Sequence, residues 1–199
     1  MDGRLIYPMV PYDLDRNLGA AYNRHMDLLP PDAWAIFMDH DAMPTTPKWF
    51  PQFAECIAFA PDAGAFAVTT NRIASMWQRA AGAPENDDVA AHRRFGHSVM
   101  ARRTLLDISQ TKGFGGVAFA VSKSAWEAAG GFAHGLGCVD HSLFFGLQRA
   151  GLRVWLVEGI YFYHWRHRDE PDPTQSAPKA PNCPCRGAET QPTFRVRLP

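Results

Sequence analysis

The segment that decides the fold reads Trp34-Ala35-Ile36-Phe37-Met38-Asp39-His40-Asp41-Ala42-Met43. Its first five residues are apolar and prolines lie on both sides, so the run is too short for a helix and predicts a strand buried on both faces. In an extended chain Asp39 and Asp41 point to the same side and can face one hard cation. The same sequence pattern also occurs where two acids merely end a strand and begin a turn, without binding a cation.

The composition is that of one globular domain. The chain has 199 residues, of which 46% are hydrophobic and 20% charged, and a chain of this size buries roughly 70% of its unfolded surface. Twenty basic and twenty acidic residues cancel, so net charge recruits neither nucleic acid nor an anionic membrane. No run approaches the roughly 20 apolar residues of a membrane helix, and no secretion signal begins the chain. We therefore expect a cytoplasmic protein without a transmembrane segment or a nucleic-acid partner.

Upstream of the deciding segment, the pattern predicts a strand and a covering helix. Residues 4–11 predict a first strand that is irregular at Pro8, because proline is awkward in a central strand. Residues 17–29 predict an amphipathic helix that ends before two prolines, with one apolar stripe. The stripe consists of Leu18, Tyr22, Met26 and Leu29. Strand, helix and strand form a unit that should be parallel and right-handed, and the fold class is α/β with a mostly parallel central sheet.

Downstream, apolar runs alternate with capping and turn signals. Residues 85–112 predict either a helix or a mobile flap, and their arginines are more typical of a solvated helix face than of a phosphate site. The other predictions are a helix after Thr46-Pro47, a strand at 64–70, a helix at 71–81, a strand at 117–121, a short helix from Ser124 to Gly130-Gly131, a helix after Asp140, and two strands at 153–157 and 160–163.

The chain divides into a domain at 1–168 and a proline-rich tail at 169–199 that we expect to be mostly disordered, although residues 194–198 can dock locally. The four cysteines do not predict a disulfide framework. Cys183 and Cys185, with His164 and His167 upstream, raise a zinc hypothesis, but their one-residue spacing departs from the usual zinc pattern.

Two further features carry possible chemistry. The cluster Gly113-Phe114-Gly115-Gly116 does not fit a dinucleotide fingerprint, and it predicts a close approach of the backbone to a bound sugar or to another strand. Asp140 is predicted at a helix amino terminus, where the helix dipole favours its ionised form. It can either cap that helix or act chemically.

These features together resemble the metal-dependent glycosyltransferases of the GT-A fold, in particular the large family-2 group with its polypeptide sugar transferase relatives. The resemblance covers about residues 4–168, and the order and spacing of five motifs make it specific. The motifs are Asn17-Leu18-Gly19-Ala20-Ala21-Tyr22-Asn23-Arg24, Asp39-His40-Asp41, Gly115-Gly116 with Gly130-Gly131-Phe132, Val139-Asp140 before a helix, and His164 after the last strand.

The resemblance implies a metal centre. Asp39-His40-Asp41 matches the family's DxD motif, so Asp41 would ligate the cation that bridges the donor diphosphate, with Asp39 on the metal through water or on the ribose. His164 matches a histidine that often supplies a further metal ligand. An imidazole ligand favours Mn²⁺ over Mg²⁺ as the cofactor.

The resemblance also implies the other roles. Asp140 would be the general base, at the Asp of a family Glu-Asp pair whose Glu position is Val139 here. The partners would be a UDP- or GDP-linked sugar donor and a hydroxyl acceptor of unknown identity. The implied donor-binding residues are Tyr12, Asp13, Asn17, Gly19, Asn23 and His40, and the implied acceptor- or sugar-binding residues are Gly115, Gly116, Val139 and Trp165.

The function implied is transfer of a sugar to a hydroxyl with inversion. Family members usually carry another strand-helix unit before the Asn17 helix. The domain is therefore compact or truncated near its amino terminus, and the pocket for the nucleotide base must be formed by other residues. Two alternatives remain open. A metal-dependent phosphoester hydrolase would use a cluster such as Asp39, Asp41, His141 and His164, whereas the small size and Val139 suggest a degenerate nucleotide- or carbohydrate-binding module.

Overall fold

The computed structural model describes residues 4–165 and 191–198, which form an eight-stranded sheet covered by helices. This α/β architecture agrees with the predicted fold class. The strands are β1 (Ile6–Met9), β2 (Trp34–Met38), β3 (Ala42–Pro44), β4 (Ala65–Thr70), β5 (Thr104–Asp107), β6 (Ala118–Ser122), β7 (Val154–His164) and β8 (Arg195–Arg197). The helices are α1 (Leu18–Asp27), α2 (Trp49–Phe59), α3 (Val89–Val99), α4 (Lys123–Ala129) and α5 (Val139–Arg149), with a 3-10 turn at Met76–Gln78.

The sheet is mixed. Its order is β1-β2-β6-β4-β7-β5-β8, with β3 paired to β7 outside this path. The pairs β1–β2 and β4–β7 are parallel, and the other described pairs are antiparallel. The prediction of a mostly parallel sheet is therefore wrong for the described strands. Apolar runs reveal that a strand is buried but not its direction, and β6, buried along its whole length, reads like a parallel strand.

The predicted strand-helix-strand unit at the amino terminus is present. β1 pairs in parallel with β2, in the register Ile6 to Trp34, and α1 connects them. β1 is the first strand of the sheet order, and this edge position accommodates Pro8, because an edge strand can spare one backbone donor. Tyr22 and Met26 on the predicted stripe of α1 are buried.

The core has two layers, one on each face of the sheet. In β2, Phe37 packs into the layer that contains Tyr22 of α1, with their ring centroids 4.6 Å apart. Trp34 and Ile36 point into the opposite layer, which contains Phe53 of α2. The prediction that this strand is buried on both faces is confirmed, and the strand delivers Asp39 to the end of the sheet where it stops.

Two downstream predictions are corrected, and one open alternative is decided. Residues 71–81 form a loop with the 3-10 turn Met76–Gln78 instead of a helix. The two predicted strands at 153–157 and 160–163 are one strand, β7, with an irregularity opposite Val68 and Thr69. Residues 85–112 contain α3 and β5, so the helix alternative is confirmed for α3, and Arg93 and Arg94 are exposed as expected for a solvated helix face. The inward side chain of His92 is fully buried. Burial of that polar side chain, which composition does not reveal, fixes α3 against the sheet.

The predicted tail is only partly described. Residues 169–190, with Cys183 and Cys185, lie outside the described residues, as does His167 of the zinc hypothesis. β8 pairs antiparallel with β5, and Leu198 is buried. Local docking of residues 194–198 is thus confirmed, and the disorder expected for the tail does not apply to this strand. Among the described helices, none is long and apolar enough to cross a membrane.

Candidate metal centre

Asp39 and Asp41 flank a tight turn between β2 and β3. The Ala42 amide donates to the Asp39 carbonyl over 3.1 Å, which folds the chain back so that β3 runs along β7. Ala42 pairs with His164, and the Trp165 amide donates to the Asp41 carbonyl over 3.1 Å. Sheet pairing therefore carries the end of β7 to the two acids.

The three side chains converge as the resemblance implied. Nε2 of His164 lies 3.4 Å from Oδ1 of Asp41 and 4.0 Å from Oδ2 of Asp39. One ligand atom from each residue lies within 4.8 Å of the others. Small side-chain rotations would bring three atoms this close to metal-ligand distances of roughly 2.0–2.2 Å around one ion. This donor set suits a divalent cation that accepts both carboxylate and imidazole.

His164 is oriented by two residues that the sequence analysis did not select. Its Nδ1 donates to the Arg72 carbonyl over 2.7 Å, which leaves Nε2 facing the acids. The Asn71 side chain accepts from the His164 amide at 2.8 Å and donates to the His164 carbonyl at 3.2 Å. Asn71 directly follows the buried strand β4. A polar residue just after a buried strand is the signal that selects Asp39, but residues 71–81 are predicted as a helix, which hides this signal for Asn71 and Arg72.

The electrostatics of the two acids differ. Burial raises the pKa of Asp39 to about 7; His164 opposes this rise, whereas the charges of Asp41 and Asp140 add to it. Burial also acts to raise the pKa of Asp41, but the hydrogen bond and charge of His164 outweigh it and hold the pKa below its ordinary value. Asp39 is therefore only partly ionised near neutral pH, and a bound cation would displace the proton from the protonated fraction.

Asp140 lies in the first turn of α5, as predicted, and is joined to the acids through the glycine-rich loop. Its Oδ2 accepts from the Gly116 amide over 3.0 Å, and its Oδ1 accepts from the His141 amide over 2.8 Å. The next residue, Val117, accepts from the Asp39 amide over 3.0 Å. Two adjacent residues thus connect Asp140 to Asp39. The charge of Asp140 helps to raise the pKa of Asp39.

Gly115 is held by Gln78, another residue absent from the predicted site. The buried Gln78 side chain accepts from the Gly115 amide at 2.6 Å and donates to its carbonyl at 3.1 Å. A Cβ on Gly115 would lie 2.2 Å from Cδ1 of Ile73. The close approach predicted for this glycine is therefore to the protein itself, and its contact with a sugar stays a prediction.

The motif around Asn17, Gly19 and Asn23 joins α1 to the loop before α5. Asn17 Oδ1 accepts from the amides of Ala20 at 3.1 Å and Gly135 at 2.7 Å. Asn23 Oδ1 accepts from the Phe132 amide at 2.9 Å, and its amide donates to the Phe132 carbonyl at 2.9 Å. These contacts give the motif a structural role, and its implied role in donor binding is untested.

Of the remaining predicted donor-binding residues, Asp13 has a protein partner. Its Oδ2 lies 2.6 Å from the Arg24 guanidinium, and that hydrogen bond lowers the pKa of Asp13. Tyr12 is 74% exposed, and His40 is exposed in the turn between Asp39 and Asp41. Both are accessible to a ligand.

The two remaining residues predicted to bind the acceptor differ in their exposure. The Val139 side chain is only 3% exposed and packs in the core, and its implied acceptor contact stays an untested prediction. The Trp165 ring is 47% exposed directly after His164. It can be reached from solvent beside the acids.

No protein-family model and no curated protein matches this chain. The function is therefore inferred from the geometry of the site.

A polar cavity of about 230 Å³ lies elsewhere in the fold. It is formed where β5 ends, where α5 ends and where the chain approaches β8. Its lining includes Asp107, Ser109, Gln148, Arg153 and Thr193. The cavity shares no residue with the acids and His164.

Proposed function

We propose that this chain is a metal-dependent glycosyltransferase that moves a sugar from a nucleoside-diphosphate donor to an acceptor hydroxyl, with inversion. The observation that carries the proposal is the convergence of Asp39, Asp41 and His164 within 4.8 Å, at an end of the sheet that the Gly116–Val117 segment connects to Asp140. Two oxygen ligands and one imidazole leave coordination positions for the phosphates of a donor.

Asp39, Asp41 and His164 would hold the cation, and the imidazole favours Mn²⁺ over Mg²⁺. Bound there, the cation would neutralise charge on the departing nucleoside diphosphate. Asp41 is the primary ligand in this proposal, because its low pKa keeps it ionised. Asp39 would lose its proton as the cation binds.

Asp140 would act as the general base. Its side chain is 23% exposed, so a hydroxyl can reach it, and the Gly116 amide fixes its Oδ2. In the proposed step the acceptor oxygen bonds to the anomeric carbon, and its proton passes to Asp140. The bond from that carbon to the diphosphate oxygen breaks on the opposite side, which gives inversion.

Trp165 is a candidate platform for the sugar. The backbone of this residue is fixed beside the site, since its amide donates to Asp41 and its carbonyl accepts from Arg72 over 3.1 Å. An exposed indole ring on a fixed backbone can stack on the apolar face of a sugar at low entropic cost.

The hydrolase alternative is less well supported than the transferase. It requires His141 beside the acids, but among the described residues the metal-ligand group consists of Asp39, Asp41 and His164. His141 instead lies with its Nδ1 3.1 Å from Oδ1 of Asp140. A binding module without turnover is favoured by one observation, the apolar Val139 in place of the family's glutamate. It predicts nucleotide binding with no sugar transfer.

The proposal is tested by measuring the thermal stability of the protein with a panel of nucleoside diphosphates and nucleotide-sugars, each with and without Mn²⁺. We expect stabilisation by one nucleotide class only when Mn²⁺ is present, because a ligand that binds the folded state raises its stability. The stabilising nucleotide-sugar then serves as donor in a transfer assay. Absence of any metal-dependent shift would contradict the proposed function, and a shift without transfer to any acceptor would favour the binding module.

A further inference from the structure

The Arg72 side chain is anchored at three points next to the metal centre. Its guanidinium lies 2.5 Å from Oδ1 of Asp87, and it donates to the carbonyls of Glu85 at 2.8 Å and Trp165 at 3.1 Å. The side chain is only 17% exposed. These contacts tie the loop that follows β4 both to the segment before α3 and to the residue after β7.

The backbone of the same residue holds His164. The Arg72 carbonyl accepts the Nδ1 proton of His164, so its position decides which ring nitrogen carries the proton. The loop at 71–75 lies outside regular helix or strand pairing. The guanidinium contacts therefore supply the fixed position that a strand or helix would otherwise give to this carbonyl.

Asp87, the charged partner of Arg72, is itself held in place by a residue of the sheet. It accepts from the Tyr163 hydroxyl over 3.0 Å. The Tyr163 ring lies 4.3 Å from the ring of buried His92 on α3, and His92 hydrogen-bonds the Tyr161 hydroxyl over 2.7 Å. Hydrogen bonds, joined by one ring contact, thus run from the core beneath α3 to the carbonyl behind His164.

We propose that Arg72 is a positioning residue for divalent-cation binding, which acts through the tautomer and orientation of His164. This inference rests on the metal centre of the proposed function. With Arg72 anchored, Nδ1 carries the proton and Nε2 presents its lone pair to the cation. Without the anchor, the carbonyl is free to move and the neutral imidazole distributes its proton over both nitrogens, which lowers the fraction of protein ready to bind.

A direct role in holding donor phosphate is the competing explanation for an arginine here. The two explanations differ in what an Arg72→Ala variant loses. A positioning residue affects binding of Mn²⁺ alone, in the absence of nucleotide. A phosphate ligand affects nucleotide binding and leaves the affinity for Mn²⁺ alone unchanged.

The first test is calorimetric titration of the full chain with Mn²⁺ alone. We expect Arg72→Ala to weaken binding about tenfold or more, the usual cost of removing a residue that orients a metal ligand. Arg72→Lys, which keeps the charge next to Asp87, should restore part of the affinity. The matched control is Arg79→Ala, since Arg79 lies in the same loop but donates to the Ile73 carbonyl at 2.7 Å. This control should bind Mn²⁺ like the parent protein.

The second test is ¹⁵N NMR of the histidine rings in the metal-free protein, with the His164 signals assigned by a His164→Gln variant. We expect the proton of the neutral His164 on Nδ1 in the parent protein and in Arg79→Ala, and on both nitrogens in Arg72→Ala. If Arg72→Ala does not fold, Asp87→Asn and Arg72→Lys are compared in its place, and a partial shift of the same kind is expected.

Unchanged Mn²⁺ affinity together with an unchanged tautomer in the Arg72 variants would overturn the inference. A variant that loses nucleotide binding but keeps its affinity for Mn²⁺ alone would overturn it in favour of direct phosphate contact. If the parent protein fails to bind Mn²⁺, the metal centre itself is refuted, which is a different result from failure of the Arg72 variants. The tautomer measurement still decides whether Arg72 orients His164.

Discussion

His164 Nε2 lies 3.4 Å from Asp41 Oδ1 because the residue after Asp41 pairs with His164 across the sheet. The contact is thus a consequence of antiparallel pairing between the short strand β3 and the carboxyl end of β7. A local motif supplies the two acids, and the topology supplies the imidazole.

Asp41→Asn should abolish the Mn²⁺-dependent stabilisation by nucleotides. The amide keeps the shape of the side chain but removes the charge that a cation needs most, because Asp41 is the acid whose pKa is held low. The measurement is the thermal midpoint with nucleotide, with and without Mn²⁺. Asp62→Asn, at an exposed turn, is the matched control and should behave like the parent protein. An unchanged metal-dependent shift in Asp41→Asn would remove Asp41 from the site.

Binding of Mn²⁺ should strengthen as the pH rises towards 7 and level off above it. In the metal-free protein the pKa of Asp39 is about 7, above its ordinary value of 3.8. The folded state binds the Asp39 proton more tightly than the unfolded chain does. The stability that this proton contributes is fully present below pH 3.8 and is lost as the pH rises through about 7. A cation must displace this proton, so its apparent affinity falls on the acid side.

The pH dependence is checked by Mn²⁺ titrations between about pH 6 and about pH 8, the interval around that pKa. Asp39→Asn has no proton to displace, so its residual binding should lose this part of the pH dependence. Equal affinities at both ends of the interval in the parent protein would show that Asp39 does not exchange a proton for the cation.

The sequence was sufficient to predict the parts of the site that depend on local pattern. Asp39 and Asp41 follow a fully apolar run, and Asp140 lies in the first turn of an amphipathic helix, so strand and helix signals are enough to place all three. His164 was reached only through the family resemblance, because nothing near it in sequence indicates that β3 pairs with β7. Long-range pairing is set by tertiary packing, which apolar periodicity does not encode.

The residues that support the site were not predicted, for a related reason. Gln78 and His92 are polar side chains buried in contact with backbone or hydroxyl groups, and composition assigns such residues to the surface. Arg72 falls in the segment predicted as a helix, although it lies just beyond the carboxyl end of the buried strand β4. The direction of β6 was also missed, since burial on both faces removes the alternation that usually marks an antiparallel strand.

Gly19→Ala should destabilise the protein although it places a better helix former inside α1. Alanine gains about 1 kcal/mol in an ordinary helix position, but a Cβ here would lie 1.8 Å from the Ala133 carbonyl oxygen, and backbone cannot move aside easily. We expect a net loss of about 1–3 kcal/mol, typical of overpacking, in chemical denaturation. Gly116→Ala is the comparison, since its nearest neighbour would be 3.7 Å away. Equal stability of Gly19→Ala and the parent protein would leave donor binding as the reason for this glycine.

Asp140→Asn should keep Mn²⁺-dependent donor binding and lose sugar transfer. The amide oxygen can still accept from the Gly116 amide, so the loop that joins residue 140 to Asp39 keeps its anchor. A general base contributes roughly 10²- to 10⁴-fold to the rate, and we expect a loss of that size in kcat with the donor that the stability panel identifies.

His141→Gln is the matched comparison for Asp140→Asn, because His141 is adjacent to Asp140 and contacts the same carboxylate. If Asp140 is the base, His141→Gln should keep most of the transfer activity, since the glutamine leaves the Asp140 carboxylate and its contact with Gly116 in place. Full activity in Asp140→Asn would clear Asp140 of the base role. A loss confined to His141→Gln would move the proton-accepting role to the imidazole and leave Asp140 as the residue that orients it.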